Sequence, residues 1–464
     1  LRWLNISKPA CTLHCAYCGL HGAFPHAKSF QHQGDVLSLH SCTRCGSLIY
    51  DLAGIDAPLV SNSDQMSPEA ARAARYVLES GFSSRYVAMC GLSCLPDVPD
   101  QDLSRYLFVD VGAGMGIASH FMRTVFGVPT LTIEPSFTGR LAQQVLGLTV
   151  HRAYFEDLPP AVMAEIAAKP CLLHLNSVVE HLDNPAALLR DIIARARVEQ
   201  LAIIVPDGGA LDYDGPFAAA LPFLAPRDHR HLPTRLGLEY LLKDLGFAYQ
   251  SIRADACLLI AIGARAPIAT PSDRMVHLAD MLLLENLMRH PHPQVREGGA
   301  ARLLPFAVTT GNAPLLAEVR RILAYADSTA NLLSRLRARA WDDIPYHLGP
   351  TCYWLAVATF AEGRAQQAQE LLDVTIDFAD AIAEDAPERA LTPLEFKWAA
   401  LIYRAHICRS AGREADARLA LRLVLASRAD PQNGARSAYL DQAEQALGET
   451  EKDASPRKTA PLHA

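Results

Sequence analysis

The sequence predicts a doubly wound α/β domain in the middle of the chain, with a small cysteine-rich region ahead of it and an all-helical region behind. Three observations carry that prediction. Short apolar runs (LFVDV, TLTIEP, CLLHLN, LAIIVP and CLLIAIG) alternate with helical stretches between residues 106 and 263, the pattern of parallel strands joined by crossover helices. Five of the eleven cysteines fall within the first 45 residues, in closely spaced pairs that suit metal binding better than disulfides. Beyond residue 280 the strand signals vanish, while Ala, Leu and Arg recur at helical spacing.

These boundaries divide the chain into residues 1–56, a metal-binding region; 57–105, a linker with one helix at 67–80; 106–263, the α/β domain; 264–279, a Pro-bearing linker; 280–450, the helical region; and 451–464, a disordered tail. The helix in the first linker is announced by Ser67-Pro68-Glu69, with Pro at the first helical position. A chain of 464 residues exceeds what one core supports, so several domains are expected. Net charge is −7, and the 43 Lys and Arg are scattered, which argues against a nucleic-acid partner. The longest apolar runs, 201–206 and 256–263, fall far short of the roughly 20 residues that cross a bilayer. No membrane partner is therefore expected, and with no secretory signal pattern at Leu1 the expected compartment is the cytoplasm.

The chemistry starts at FVDVGAGMG, residues 108–116. An apolar strand runs directly into Gly112, Gly114 and Gly116, where only glycine lets backbone approach a ligand closely. A dinucleotide fingerprint needs G-x-G-x-x-G, but Ile117 stands where the third small residue belongs. A second strand ends at Glu134, 24 positions after Asp110, where a carboxylate can accept hydrogen bonds from both ribose hydroxyls. The G-x-G-x-G turn with Asp110 ahead of it resembles motif I of class I S-adenosylmethionine-dependent methyltransferases. Three further segments resemble that family in order and spacing: YFEDLP at 154–159, LNSVVEHLDNPAALLRDI at 175–192, and VPDGG at 205–209 followed by HRHLPTRLGLEYLLKDLGF at 229–247. Tyr154 departs from a common Asp. The resemblance covers about 160 residues and implies a Rossmann-like methyltransferase fold. It also implies a cofactor site drawn from Asp110, Gly112, Gly114, Gly116, Glu134, Phe155, Glu156, Asn176 and Ser177.

Cys15-x2-Cys18-Gly19 and Cys42-x2-Cys45-Gly46 form two knuckles. Four thiolates close one tetrahedral structural zinc site, each following Gly easing a tight turn, with Cys11 or His14 as possible substitutes. The arrangement resembles the zinc ribbon ahead of the catalytic domain in some sugar-type methyltransferases. A rival pattern, Cys11-x3-Cys15-x2-Cys18, resembles the three-cysteine cluster motif of radical S-adenosylmethionine enzymes and leaves Cys42 and Cys45 unexplained.

In the helical region, Ala356, Gly363, Ala368 and Leu372 are matched at identical offsets by Ala405, Gly412, Ala417 and Leu421. This resembles the skeleton of tetratricopeptide hairpins, although the 49-residue separation requires an insertion near 381–391. Such a region implies self-association or a protein partner; the competing expectation is a brace on the catalytic domain.

The expected activity is methyl transfer from S-adenosylmethionine to a small polar metabolite, with a sugar or nucleotide-sugar as the specific form the resemblance points to. An acceptor hydroxyl or carbon acid needs a base near neutral pH, and histidine suits that work. His181 after the fourth strand, and His229 and His231 after the fifth, are the candidates: His181 and His229 as bases, His231 for orientation. The alternative from another class is a non-catalytic scaffold with a vestigial methyltransferase module.

Overall fold

The computed structural model describes residues 2–32, 34–51, 68–96, 102–215, 217–224, 229–255, 257–268, 270–385, 391–429 and 436–453. Six short strands open the chain: β1 (Arg2–Leu4), β2 (Cys11–His14), β3 (His21–Phe24), β4 (His26–His32), β5 (Asp35–Ser41) and β6 (Leu48–Asp51). β2 and β3 form a hairpin of their own. The others make an antiparallel sheet in the order β1-β4-β5-β6, whose last place is taken by β12 (His231–Leu232). The cysteine-rich region therefore does not stand apart as a separate small domain: its sheet is completed by His231 and Leu232, which pair with Ile49 and Leu48.

The apolar runs of the middle region become β7 (Leu107–Val111), β8 (Thr130–Ile133), β10 (Cys171–Asn176) and β11 (Val198–Pro206), all parallel, with a two-residue β9 (Val150–His151) beside β8. β7 is buried along its whole length, β10 up to Leu175 and β11 nearly throughout, as expected for strands covered on both faces. The fifth run is also a strand, β14 (Leu258–Ala264), but it runs antiparallel to β11 rather than parallel. It returns from β13 (Tyr249–Asp255), an edge strand that alternates too weakly to be read from sequence. The order is β13-β14-β11-β10-β7-β8-β9. From β7 the chain winds outward through β8 and then back to β10 on its other side, so β7 and β10 flank the switch point, and ligands of such sheets bind at the strands' carboxyl ends there.

The segment expected as a linker with one helix holds two, Pro68–Glu79 and Ser84–Ser93, joined through Phe82 and Ser83 at positive φ. The expected linker at 264–279 is likewise partly helical, since the helix Asp273–Met288 begins inside it.

The chain divides into two units, Leu1–Ala74 with Phe82–Leu283, and Arg75–Gly81 with Leu284–Ala464. In the second, the short segment from the first part of the chain is fixed by Glu79. Its carboxylate is buried and accepts from Arg75 Nε at 2.6 Å, Gln294 Nε2 at 3.0 Å and the Tyr346 N–H at 2.8 Å. The matched residues of the sequence form two helical hairpins, Leu348–Ala361 with Ala365–Asp385 and Leu391–Ser410 with Glu414–Ala426. Ala356, Ala368, Ala405 and Ala417 are buried where helices meet, and Gly363 and Gly412 turn at φ 82° and 70°. The 49-residue separation comes with unusually long second and third helices, of 21 and 20 residues; 386–390, where part of the inserted length was expected, lies outside the described residues. The last helix continues to Asp453, and the remainder of the expected tail, 454–464, is also outside them. No helix among the described residues is long and apolar enough to cross a membrane.

Candidate functional site

The turn after β7 carries Gly112, Gly114 and Gly116 at φ 65°, 54° and 67°, a region that costs other residues about 1–2 kcal/mol. The three glycines are not equivalent. A Cβ on Gly112 would meet Val178 Cγ2 at 2.6 Å and one on Gly116 would meet Leu148 Cδ1 at 2.5 Å, whereas one on Gly114 meets nothing within 4 Å. Gly112 and Gly116 are thus demanded by packing, and Gly114 borders open space.

Glu134, just beyond β8, is brought to the same turn. Its carboxylate accepts from the N–H of Gly114 at 2.7 Å and of Ser136 at 2.8 Å. A carboxylate has about four acceptor positions, so two remain for a ligand's hydroxyl groups. Gly139 makes this placement possible, since a Cβ there would meet the Glu134 carbonyl oxygen at 2.7 Å.

Across the switch point, β10 ends in Asn176 and Ser177. Asn176 Oδ1 accepts from the Tyr86 hydroxyl at 3.2 Å. Ser177 is one of four non-glycine residues at positive φ among the described residues, 54°, and its N–H is tied to Ile204 O at 2.8 Å. Strain of this kind is held in place by its surroundings and is frequent at ligand sites.

Three residues of the expected cofactor set are placed elsewhere. Asp110 is buried beneath the turn with both oxygens committed: His174 Nδ1 donates to one at 2.8 Å and Ser119 Oγ to the other at 2.9 Å, with Thr132 Oγ1 donating to Ser119. It braces the turn from below. Phe155 is a core residue, fully enclosed, and Glu156 beside it faces solvent.

The histidines separate into two kinds. His181 and His229 meet edge to face with ring centroids 4.8 Å apart, and their nitrogens lie within 4.8 Å of a Glu180 carboxylate oxygen. His229 Nδ1–H donates to Phe223 O at 2.8 Å, which leaves Nε2 as the lone-pair nitrogen when the ring is neutral. Burial, and next the neighbouring His181, lower His229 to about 4. Glu180 is fully buried with no hydrogen-bond partner on either oxygen, and burial pushes its carboxyl up to about 8. His231, expected to orient substrate, is instead enclosed behind this group. Its Nε2–H donates to Leu182 O at 2.6 Å, and its Nδ1 accepts from the Tyr17 hydroxyl at 2.8 Å. With both nitrogens engaged and burial holding it down near 3, it is a neutral clasp. Glu180 and Tyr86 are what sequence reasoning left out of the site. An acidic residue inside the apolar run VVEHL was a usable signal for the first; Tyr86 lies on a helix that sequence patterning did not reveal.

The four expected thiols come together. Cys15 and Cys45 lie 3.5 Å apart, as do Cys18 and Cys42, and all four Sγ atoms lie within 4.8 Å of one another. The two knuckles are built alike: Gly19 N–H bonds Cys15 O at 2.9 Å and Gly46 N–H bonds Cys42 O at 2.8 Å, at φ 70° and 75°. The hydrogen bond from Cys15 holds Cys45 down near 5 and pushes Cys15 itself up. Such a group can chelate a metal ion. Cys11 is not part of it; its Sγ faces Asp51 at 3.9 Å, and the group of four contains Cys42 and Cys45, which the three-cysteine pattern leaves unexplained. Nor is His14, at the exposed end of β2, among the clustered ligands.

This strand order and glycine turn define an α/β Rossmann-like methyltransferase core, flanked by N-terminal strands and C-terminal helices. The family profile described as "Methyltransferase domain" matches residues 96–252, so this segment of the chain is similar to methyltransferase domains. Among solved structures, the chain is similar to human N-acetylserotonin methyltransferase in complex with SAM (15% identity, 46% of this chain and 62% of that one, TM-score 0.34). It is also similar to the plantazolicin methyltransferase BamL (14%, 47% and 82%, 0.30) and a cyclopropane synthase from Mycobacterium tuberculosis (12%, 57% and 82%, 0.25). The matched region spans 62% of the first of these chains. No curated protein matches this chain.

Proposed function

We propose that the protein is an S-adenosylmethionine-dependent methyltransferase acting on a small polar acceptor, of which a sugar or nucleotide-sugar is the specific form favoured by the cysteine knuckles joined to the α/β core. The observation that carries the reading is the pairing, across one switch point, of a glycine turn bordering open space with a buried carboxylate and histidine group. The cofactor, when bound, supplies an electrophilic methyl group. Gly114 leaves room for it, Glu134 offers its two remaining acceptor positions to the ribose, and Asn176 and Ser177 line the facing strand end.

On the acceptor side, His181 removes the proton of the nucleophile, and the Glu180 carboxylate stabilises the imidazolium that results. Neutral His229, fixed by Phe223, holds the His181 ring edge-on. The four thiols of Cys15, Cys18, Cys42 and Cys45 hold one structural zinc, which shapes the N-terminal sheet and takes no part in the chemistry. The hairpins of the second unit serve self-association or a protein partner.

The test is calorimetric titration of the full chain with S-adenosylmethionine, followed by transfer of an isotopically labelled methyl group into a pool of small polar metabolites. Saturable binding and a labelled small product are expected. Absence of cofactor binding would sink the enzymatic reading and leave the scaffold alternative.

A further inference from the structure

A second group of metal-type side chains lies in the N-terminal sheet, apart from the four thiols and unused by the proposed chemistry. Cys11 opens β2, His40 lies near the end of β5 and Asp51 closes β6, and one donor atom from each lies within 4.8 Å of the other two. Cys11 Sγ and Asp51 Oδ2 are 3.9 Å apart, close to the separation of two ligands about one tetrahedral zinc.

His40 is the informative member. It is fully buried, and its Nε2 has no hydrogen-bond partner, which is costly for a polar atom unless something fills the position. Its Nδ1–H donates to Phe24 O at 3.2 Å, and this fixes the tautomer that leaves the lone pair on the unpartnered Nε2. A ring N–H given to a backbone carbonyl is the usual outer support of a metal-bound histidine. Phe24 is also the residue paired with Cys11 across the β2–β3 hairpin, so the same backbone positions two of the three ligands.

We propose that Cys11, His40 and Asp51 form a second zinc site, with one position open to water. Thiolate with imidazole selects zinc over magnesium or calcium, which prefer oxygen donors. The site ties the β2–β3 hairpin to the ends of β5 and β6, strands that otherwise belong to a different sheet.

Metal content of the purified full chain tests this, with four variants beside wild type. Wild type should carry about two zinc ions per chain, and His40→Ala and Asp51→Asn about one each. The double variant Cys42→Ser, Cys45→Ser should lose the other ion only. Its cobalt-substituted form should show the charge-transfer absorption of a single thiolate, abolished by adding Cys11→Ser. Asp51→Asn preserves shape and so stands in should His40→Ala fail to fold. Zinc content unchanged by both His40→Ala and Asp51→Asn would overturn the proposal. Zinc content unchanged by the double cysteine variant would overturn the four-thiol site instead.

Discussion

The two sides of the switch point are built in opposite ways. The cofactor side, from Asp110 to Gly139, is one continuous strand-turn-helix-strand-turn whose carboxylates are held by the protein's own donors: Glu134 has two backbone donors, and Asp110 has His174 and Ser119. The acceptor side is gathered from Tyr86, Glu180 with His181, and His229, backed by Tyr17 and His231, which are 214 residues apart. At its centre Glu180 is buried with neither oxygen hydrogen-bonded. A group common to all users of one cofactor can be finished by the protein alone. On the proposed reading, the group that meets a variable acceptor keeps a polar deficit at Glu180 that substrate can fill.

The largest expected effect separates these sides. His181→Asn and Glu180→Gln should each lower methyl transfer by about 10²–10⁴, the usual contribution of general-base catalysis, while leaving S-adenosylmethionine affinity within error of wild type. The pH profile sharpens the comparison. The Glu180 carboxyl, raised by burial to about 8, is mostly neutral at pH 7 and becomes anionic only above that value. It is faced by Tyr17, Tyr86, His181 and His229, while the Arg230 guanidinium is drawn to Asp183. The single-turnover rate should therefore rise with pH through about 8 in wild type and lose that inflection in Glu180→Gln. An identical profile in the variant would show that Glu180 does not support the proton transfer.

The same contrast explains what could be read in advance. The strands β7, β8, β10, β11 and β14 were visible because they are short apolar runs, the glycine turn because its residues are consecutive, and the thiols because the two knuckles repeat. β13 was missed because an edge strand carries polar residues on both faces. The direction of β14 cannot be read from an apolar run at all, since direction depends on the connection. The burial of Phe155 and Asp110 is not legible in advance, because a motif locates a segment but not which way a side chain turns. His231 was grouped with His229 by spacing, yet the pairing of β12 with β6 turned it towards Tyr17.

A smaller effect probes the cofactor side. Glu134→Ala should weaken S-adenosylmethionine binding by about 1–3 kcal/mol, the loss of charge-assisted hydrogen bonds, which is roughly 5- to 150-fold in affinity. Methyl transfer at saturating cofactor should change far less. Gly112→Ala should lower stability in urea unfolding more than Gly114→Ala, because only the former drives a methyl group into Val178, whereas Gly114→Ala should act on cofactor affinity, since it fills the space proposed for the cofactor. Calorimetry and urea unfolding of the three variants check these effects; equal affinity of Glu134→Ala and wild type would remove Glu134 from the ribose.

The smallest effect concerns the clasp behind the acceptor group. Tyr17→Phe deletes the hydroxyl that donates to His231 Nδ1 and leaves a buried acceptor unsatisfied, at a cost of about 1–3 kcal/mol. Urea unfolding should register that loss, while cofactor affinity should stay unchanged because neither residue reaches the turn. The same clasp has a pH signature. His231 is held near 3 in the folded chain against an ordinary value of 6.5, so the unfolded chain binds its proton first as pH falls. The stability tied to neutral His231 is complete above pH 6.5 and is lost progressively as pH drops from 6.5 towards 3. Replacing the ring by a group that does not titrate, as in His231→Gln, should lower stability at pH 7 but flatten its decline across that window. A decline as steep in His231→Gln as in wild type would assign the acid sensitivity to other buried groups, His229 first among them.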